Sequence, residues 1–250
     1  MKKILLTILC FAILISCKKE DKTEPETPTI TTGTVTGKIT HYDQFGTKYT
    51  SGLNTATVSL EGTNFTGITD TSGIYKLTNV PSGTYTLAVK KPGCGLIKTE
   101  NIHYNFEDTT TYNASVSDIP AFTLSAAYAK DTTWFNGSVG GIFYNASPAS
   151  LNKNANIVAI IGKSSKIDLA NPDSYENYAL ASIADSTDYG RFFSYQLLKY
   201  TYTFKKDSAV YMKIYPVSAK GARYKSDRLN AFVYTSFGTP YPTIFMLNVK

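Results

Sequence analysis

The chain has 250 residues, of which 42% are hydrophobic and 18% charged, and its formal net charge is +6. This length suits one large or two ordinary packed domains, and no long run of Lys and Arg marks a nucleic-acid-binding surface. The 19 Tyr and 13 Phe residues, with abundant Thr and Ser, are typical of strands rather than helices. We therefore predict an all-β protein with no nucleic-acid partner.

Residues 1–16 are typical of an export signal. Lys2 and Lys3 precede an apolar stretch that ends at Ile15 and is short for a bilayer span. The letters LISC, which end at Cys17, resemble the lipobox of bacterial lipoproteins, whose cysteine sulfur receives a diacylglyceryl group before cleavage on its amino side. The resemblance implies a mature chain that begins at lipidated Cys17 and is anchored in a membrane. The alternative is an uncleaved signal anchor with an incidental cysteine.

Residues 17–32 form a predicted flexible tether. The stretch KKEDKTEPETPTITTG has no apolar residue before Ile30, so it has nothing to bury. Its first five residues resemble the charged export tag of surface lipoproteins of Bacteroidota, which implies an outer-membrane protein exposed at the cell surface. A periplasm-facing lipoprotein is the alternative. In such a mature chain Cys94 is the one remaining thiol, so no intramolecular disulfide is expected.

Short alternating strands separated by turns follow from Gly33 onward. We predict strands at the ranges Thr34–Thr40, Thr57–Leu60, Phe65–Thr69, Ile74–Val80 and Thr84–Val89. The DTSG stretch before Ile74 predicts a tight turn, in which Gly73 takes a positive φ without steric cost. Regular short strands of this kind predict an antiparallel β-sandwich over residues 33–122.

The same segment resembles the carboxypeptidase regulatory-like family. The likeness lies in an opening G-x-V, an A-x-V-x-L-x-G strand, a T-D-x-x-G-x-Y-x-L hairpin and a V-P-x-G-x-Y-x-L-x-V strand before a glycine turn. The matching positions are Gly33, Val35, Ala56, Val58, Leu60, Gly62, Thr69, Asp70, Gly73, Tyr75, Leu77, Val80, Pro81, Gly83, Tyr85, Leu87, Val89 and Gly93. The resemblance implies a prealbumin-like sandwich in which these residues set turns and fill the core, without catalysis. The stretch at residues 41–54 is longer than the family's first hairpin, which makes it a candidate contact loop.

Residues 123–250 predict a second β-sandwich, with Pro120 near the junction. Its strands are expected at Thr132–Ser138, Ile157–Gly162, Tyr178–Ile183, Phe192–Phe204, Val210–Val217 and Ala231–Ser236. The stretch from Ala209 to Asp227 resembles the penultimate strand and loop of a fibronectin type III module. That resemblance implies core positions for Tyr211, Ile214 and Val217. An unrelated β-sandwich is the alternative.

The sequence carries no recognisable catalytic or metal-binding motif. Its two histidines, His41 and His103, have no second ligand at metal spacing, and no nucleophile elbow or phosphate loop appears. We therefore predict no catalytic residues, no metal, no cofactor and no enzymatic activity.

Two functions remain open at this level. The first is a non-catalytic outer-membrane lipoprotein that displays β-sandwich modules for binding or adhesion to a glycan or protein ligand. The second is a structural accessory of an outer-membrane uptake or envelope-assembly complex. Tyr175 and Tyr241 lie on candidate ligand loops of the second domain. Acceptor-like triplets (DTT, DTT, DST and DSA) predict O-glycosylation at Thr109, Thr132, Ser186 and Ser208.

Overall fold

Strands make up nearly all of the regular structure. The computed structural model describes residues 31–105, 109–133, 140–148, 155–183, 190–193 and 209–248. The first strands are β1 (Thr32–Tyr42), β2 (Thr57–Leu60), β3 (Thr66–Ile68), β4 (Ile74–Pro81), β5 (Gly83–Lys90), β6 (Ile97–Tyr104), β7 (Thr110–Thr111) and β8 (Ala114–Ser117). The later strands are β9 (Leu124–Thr133), β10 (Gly140–Pro148), β11 (Ala155–Gly162), β12 (Asn177–Ile183), β13 (Gly190–Phe193), β14 (Ala209–Val217), β15 (Arg223–Ser226), β16 (Ala231–Tyr234) and β17 (Phe245–Asn248). The all-β prediction is confirmed.

Helix is confined, in the described ranges, to one short 3-10 turn at Pro172–Ser174. Within those same ranges, no helix has the length and apolar character needed to cross a bilayer.

The first sandwich consists of two four-stranded sheets. One sheet has the order β4-β1-β7, with β8 also paired to β1, and the other has the order β3-β2-β5-β6. β1 can serve both β7 and β8 because it is long: its first half pairs with β7 and its second half with β8, both in parallel. The predicted strands of this region are thus confirmed within a few residues, and the turn glycine Gly73 has a φ of +80° as expected.

Alternation along these strands builds the first core. In β4 the buried Tyr75 and Leu77 alternate with exposed neighbours, and β2 buries Val58 and Leu60 in the same way. These side chains meet those of β1, β5 and β6 in one apolar cluster, because a period of two places alternate residues on one face of a sheet. Val35, Leu87 and Val89 belong to the same buried cluster.

The second region is built on a central buried strand. One sheet has the order β12-β11-β14-β17, a second has the order β13-β10-β9, and β15 with β16 forms a hairpin. Ile157 to Ile161 of β11 are all fully buried, so both faces of this strand are covered. That burial explains the continuous apolar run in the sequence, since a strand that faces solvent on one side would alternate. The strand predictions in this region agree with β11, β12, β14 and β16, while parts of the predicted strands near residues 134–138 and 194–204 lie outside the described residues.

Residues Thr31–Lys250 form one compact unit. Within it, hydrogen bonds join the two β-regions. Ser236 is fully buried; its hydroxyl donates to the Ser117 carbonyl and accepts from the Gly95 amide at 3.0 and 3.1 Å. Glu100 of β6 accepts from the Ser226 hydroxyl and from two backbone amides beyond it. The domain boundary near residue 122 stays a prediction, and the described contacts show that the regions on either side of it are fastened together.

Candidate functional site

Three chemically reactive side chains meet where the first region contacts the second. They are His41 near the end of β1, Cys94 in the turn after β5, and Asp118 directly after β8. β8 pairs with β1 in parallel, with His41 opposite Val116, and this register brings Asp118 beside the histidine ring. We call His41, Cys94, Asp118 and the neighbouring Tyr49 the junction cluster.

The distances within the junction cluster are short. His41 Nε2 lies 2.6 Å from Asp118 Oδ1 and 3.3 Å from Cys94 Sγ, and the sulfur lies 3.7 Å from the same carboxylate oxygen. The Tyr49 hydroxyl donates to the other oxygen, Oδ2, at 2.7 Å, and the Tyr49 ring stacks on the imidazole with a centroid separation of 4.3 Å. Both carboxylate oxygens of Asp118 therefore have hydrogen-bond partners, and the Tyr49 ring covers one face of the His41 imidazole.

The backbone around the cluster is also fixed. The Asp118 amide donates to the Tyr42 carbonyl, and the Tyr49 amide donates to the His41 carbonyl at 2.9 Å. The Asp118 carbonyl accepts a hydrogen bond from the Ser218 hydroxyl, which belongs to the second region. The junction cluster is therefore tied to both sides of the junction through Asp118.

Electrostatics keep the sulfur and the phenol protonated. Burial, followed by the charge of Asp118 and the hydrogen bond to it, raises the pKa of Cys94 to about 12. The hydrogen bond to Asp118, with burial second, raises the pKa of Tyr49 to about 12. In the absence of a bound cation, Cys94 is a neutral thiol at physiological pH.

The arrangement does not match a cysteine–histidine nucleophile. In a catalytic triad the imidazole holds the carboxylate with one ring nitrogen and activates the nucleophile with the other. Here the same nitrogen, Nε2 of His41, faces both Asp118 and Cys94. A reactive cysteine also requires a depressed thiol pKa, whereas that of Cys94 is raised. The geometry supplies metal-ligand atoms rather than an activated thiol.

The stretch at residues 41–54, predicted as a contact loop, contacts the second region of the same chain. The Gln44 carbonyl accepts from the Ala219 amide of the second region, and its side-chain oxygen accepts at 2.8 Å from the amide of Ala121, which lies next to the predicted boundary. Lys91, 7% exposed, supports the far end of this stretch by donating to the carbonyls of Gly52 and Asn54.

Tyr175 packs against a core instead of standing on a free loop. The loop from Ser164 to Asn177 folds over the sheet, because Ile167 and Leu169 are buried in the apolar cluster and Tyr175 packs beside them. The Tyr175 hydroxyl is buried without a hydrogen-bond partner in the described structure, and burial raises its pKa to about 12. As a ligand residue Tyr175 stays a prediction; its observed packing is that of a core side chain.

Tyr241 lies beside the edge strand of the second region. Its amide donates to the Ile214 carbonyl at 2.9 Å, and its ring is parallel to that of Phe245, with centroids 6.2 Å apart and an interplanar angle of 6°. Ile244 is 36% exposed and Met246 61% exposed. We call Tyr241, Ile244, Phe245 and Met246 the edge surface; β17, which carries Phe245 and Met246, pairs with β14 at the end of its sheet.

The predicted modification sites fall partly outside the described residues. Thr109 is exposed, as an acceptor must be, and Thr132 lies in β9. Ser186, Ser208 and the lipidation site Cys17 lie outside the described ranges. All five stay predictions.

Sequence reasoning missed the junction cluster. Its donors are far apart along the chain: 77 residues separate His41 from Asp118, 53 separate His41 from Cys94, and 24 separate Cys94 from Asp118. No local motif links donors at such distances. The one available signal was that Cys94, the one thiol expected to remain in the mature chain, follows a Pro-Gly turn of the first region.

Neither a protein-family model nor a curated protein matches this chain. Similar solved structures include a type II cohesin–X-dockerin complex from Acetivibrio cellulolyticus, with 25% identity over 34% of this chain and 52% of that one and a TM-score of 0.28. A candidate carbohydrate binding protein from Bacteroides uniformis is 13% identical over 86% of this chain and 98% of that one, with a TM-score of 0.30. A DUF3823 family protein from Bacteroides ovatus is 12% identical over 88% of this chain and all 100% of that one, with a TM-score of 0.28.

These likenesses are weak. This chain spans about half the length of the cohesin–dockerin match, and all three TM-scores lie below 0.5, so none carries an argument about function. None of the three is named as an enzyme. The resemblances to bacterial lipoproteins, to the carboxypeptidase regulatory-like family and to fibronectin type III modules stay predictions.

Proposed function

We propose that this protein is a non-catalytic lipoprotein of the outer membrane that binds a glycan or protein ligand at the cell surface. The lipobox at Cys17 and the tether up to residue 32 support the anchor and the display. The protonated Cys94, beside a histidine whose Nε2 faces both the thiol and the carboxylate, supports a role without nucleophilic catalysis.

The edge surface is the observation that carries the binding role. The parallel rings of Tyr241 and Phe245 lie beside an edge strand, and the neighbouring residues Ile244 and Met246 are exposed, so this edge presents aromatic and apolar side chains of the kind that recognition sites use. Aromatic faces suit the C–H faces of sugars, and they contribute area at low entropic cost because a ring has few rotatable bonds. The hydrogen bond from Tyr241 to Ile214 holds its backbone in place before a ligand arrives.

A glycan and protein array probed with the full chain in detergent tests this function. Any ligand found is then titrated by calorimetry against Tyr241→Ala, Phe245→Ala and, as a matched control, Phe232→Ala, whose ring is 38% exposed on the β15–β16 hairpin. We expect each of the first two changes to weaken binding by about 10-fold or more and the control to leave it unchanged. A ligand whose affinity is the same for all variants would contradict the assignment to the edge surface.

The hydrogen bonds that join the two β-regions support the second function, that of a structural accessory. Buried Ser236 and the multiply bonded Glu100 make the body a rigid spacer, which a partner complex can use without any ligand surface. Co-purification of the intact chain with envelope proteins, combined with no binding on the arrays, would favour this alternative over the binding role.

A further inference from the structure

We propose that His41, Cys94 and Asp118 bind a transition-metal ion, zinc by the nature of the donors, and that this ion braces the junction between the two β-regions. The three side chains offer an imidazole nitrogen, a sulfur and a carboxylate oxygen that all lie within 4.8 Å of one another. Nitrogen, sulfur and oxygen donors together are typical of Zn²⁺, whereas Mg²⁺ and Ca²⁺ require oxygen donors alone.

The distances suit a tetrahedral ion. Zinc bonds of about 2.0 Å to nitrogen and oxygen and about 2.3 Å to sulfur separate the ligand atoms by roughly 3.3–3.6 Å. The sulfur lies 3.3 Å from His41 Nε2 and 3.7 Å from Asp118 Oδ1, each within about 0.2 Å of the roughly 3.5 Å expected between sulfur and a nitrogen or oxygen ligand. The nitrogen-to-oxygen distance of 2.6 Å is that of a hydrogen bond, so these two atoms must separate by roughly 0.7 Å when a metal replaces the shared proton.

Metal binding releases one proton from the site to solvent. The Cys94 thiol releases its proton to solvent, and the sulfur electron pair forms the bond to the metal. The proton shared by His41 Nε2 and Asp118 Oδ1 moves through solvent to Nδ1, so His41 binds through the Nε2 lone pair and Asp118 binds through Oδ1. A divalent cation at this point reverses the electrostatic penalty that otherwise keeps the thiol protonated. The Asp118 side chain is 32% exposed, which gives an ion a path from solvent.

Tyr49 serves as a positioning residue for this site. Its hydroxyl holds Asp118 Oδ2, and its ring stacks on His41, so two of the three ligands are oriented before the metal arrives. Outer partners of this kind contribute about 10- to 100-fold to metal affinity. The bracing follows from Asp118, whose carbonyl accepts from Ser218 of the second region while its carboxylate would hold the ion.

Metal titration of the full chain in detergent tests the site. We expect one equivalent of Zn²⁺ to bind, and Co²⁺ to give a thiolate charge-transfer band, while Mg²⁺ does not compete. Cys94→Ser should abolish that band, and His41→Gln and Asp118→Asn should weaken zinc binding by more than about 100-fold. His103→Gln is the matched control, since His103 is exposed and bonded to Thr84, and it should bind zinc as the parent does. Any contribution from Cys10 or Cys17 is the same in every variant, so the differences between variants isolate the site.

Two further readouts keep the proposal falsifiable if a ligand variant folds poorly. Tyr49→Phe retains all three ligands and the ring, and it should weaken zinc binding by about 10-fold without loss of the charge-transfer band. Hydrogen exchange at the amides of Gly95 and Ala219, which bond across the junction, should slow when zinc is added. Equal zinc affinity in the parent and in Cys94→Ser would overturn the site. Tight binding without slower exchange at the junction would overturn the bracing role.

Discussion

Single residues decide whether the buried hydroxyl groups of the second core are hydrogen-bonded, and Tyr175 and Tyr215 show the two cases most clearly. Both are tyrosines of the same apolar cluster, yet the Tyr215 hydroxyl accepts from the Leu169 amide at 3.2 Å and lies 3.3 Å from Asp168 Oδ1. The Tyr175 hydroxyl is buried without a partner in the described structure. A buried polar group without a hydrogen bond costs stability, whereas a bonded one contributes it.

Tyr175→Phe is therefore expected to stabilise the protein by about 1 kcal/mol, and Tyr215→Phe to destabilise it by a similar amount. The pH dependence gives a second readout. Because the folded pKa of Tyr175 is raised from 10.0 to about 12, the neutral ring favours the folded state below pH 10, and that contribution is lost as the pH rises toward 12. Measured by denaturant unfolding across this pH range, the free energy of unfolding should fall less steeply with rising pH for Tyr175→Phe than for the parent. An equal loss of stability in both phenylalanine variants at neutral pH would contradict this account.

Gly95 is the residue on which the close approach of the two regions depends. A Cβ at this position would meet the backbone of Thr235 and the hydroxyl of Ser236, and a backbone cannot move aside as a flexible side chain can. We expect Gly95→Ala to destabilise by about 3 kcal/mol and to speed hydrogen exchange at the Ala219 amide across the junction. The nearby Gly93→Ala is the control. Gly93 has open space around it and a φ of +77°, so its replacement should cost only about 1 kcal/mol of local strain and leave the junction intact.

At the scale of elements, β6 holds the β15–β16 hairpin through one carboxylate. Glu100 accepts from the Ser226 hydroxyl at 3.0 Å and from the Asp227 amide at 2.8 Å. Neighbouring Asn101 of β6 adds a side-chain hydrogen bond to the Asp227 carboxylate. Hydrogen bonds to an ionised acceptor are stronger than neutral ones, so this single side chain organises the turn between β15 and β16.

We expect Glu100→Ala to cost about 2 kcal/mol of stability, because it leaves the Asp227 and Arg228 amides without their acceptor. Glu61→Ala is the matched control on the same sheet. It removes an ion pair with Lys98 in which the glutamate side chain is 40% exposed, and such a pair is worth about 0.5 kcal/mol. Chemical denaturation of both variants measures the difference. A Glu100→Ala protein as stable as Glu61→Ala would show that the hairpin is held by packing alone.

At the scale of the whole molecule, the proposed membrane anchoring and the folding of the body depend on different parts of the chain. The body from residue 31 onward is one compact unit, while the proposed lipid anchor requires the Cys17 sulfur. Cys17→Ala should accumulate as unprocessed precursor or appear in the soluble fraction, because a diacylglyceryl group can no longer be attached. Membrane fractionation and intact mass measure this outcome. If the variant matures and fractionates as the parent does, the lipoprotein interpretation is wrong.

Much of the fold could be predicted from the residues because it follows from local rules. Alternation predicted β2 and β4 almost to the residue, the DTSG turn placed Gly73 at a positive φ, and the apolar run at Ile157–Gly162 predicted the strand β11. These features depend on neighbours one to four positions apart, and that is the range over which backbone sterics and side-chain period act. The residues also indicated the export signal and the tether, which are read from composition alone.

The tertiary structure alone decided where reactive and buried groups meet. The register between β1 and β8 brings His41 beside Asp118 across 77 residues of chain, and the turn after β5 adds Cys94. Packing also turned Tyr175 from a predicted loop residue into part of a core and placed Tyr241 parallel to Phe245. Local periodicity does not specify which strands become neighbours or which loop folds over a sheet, because those choices minimise the exposed apolar area of the whole chain.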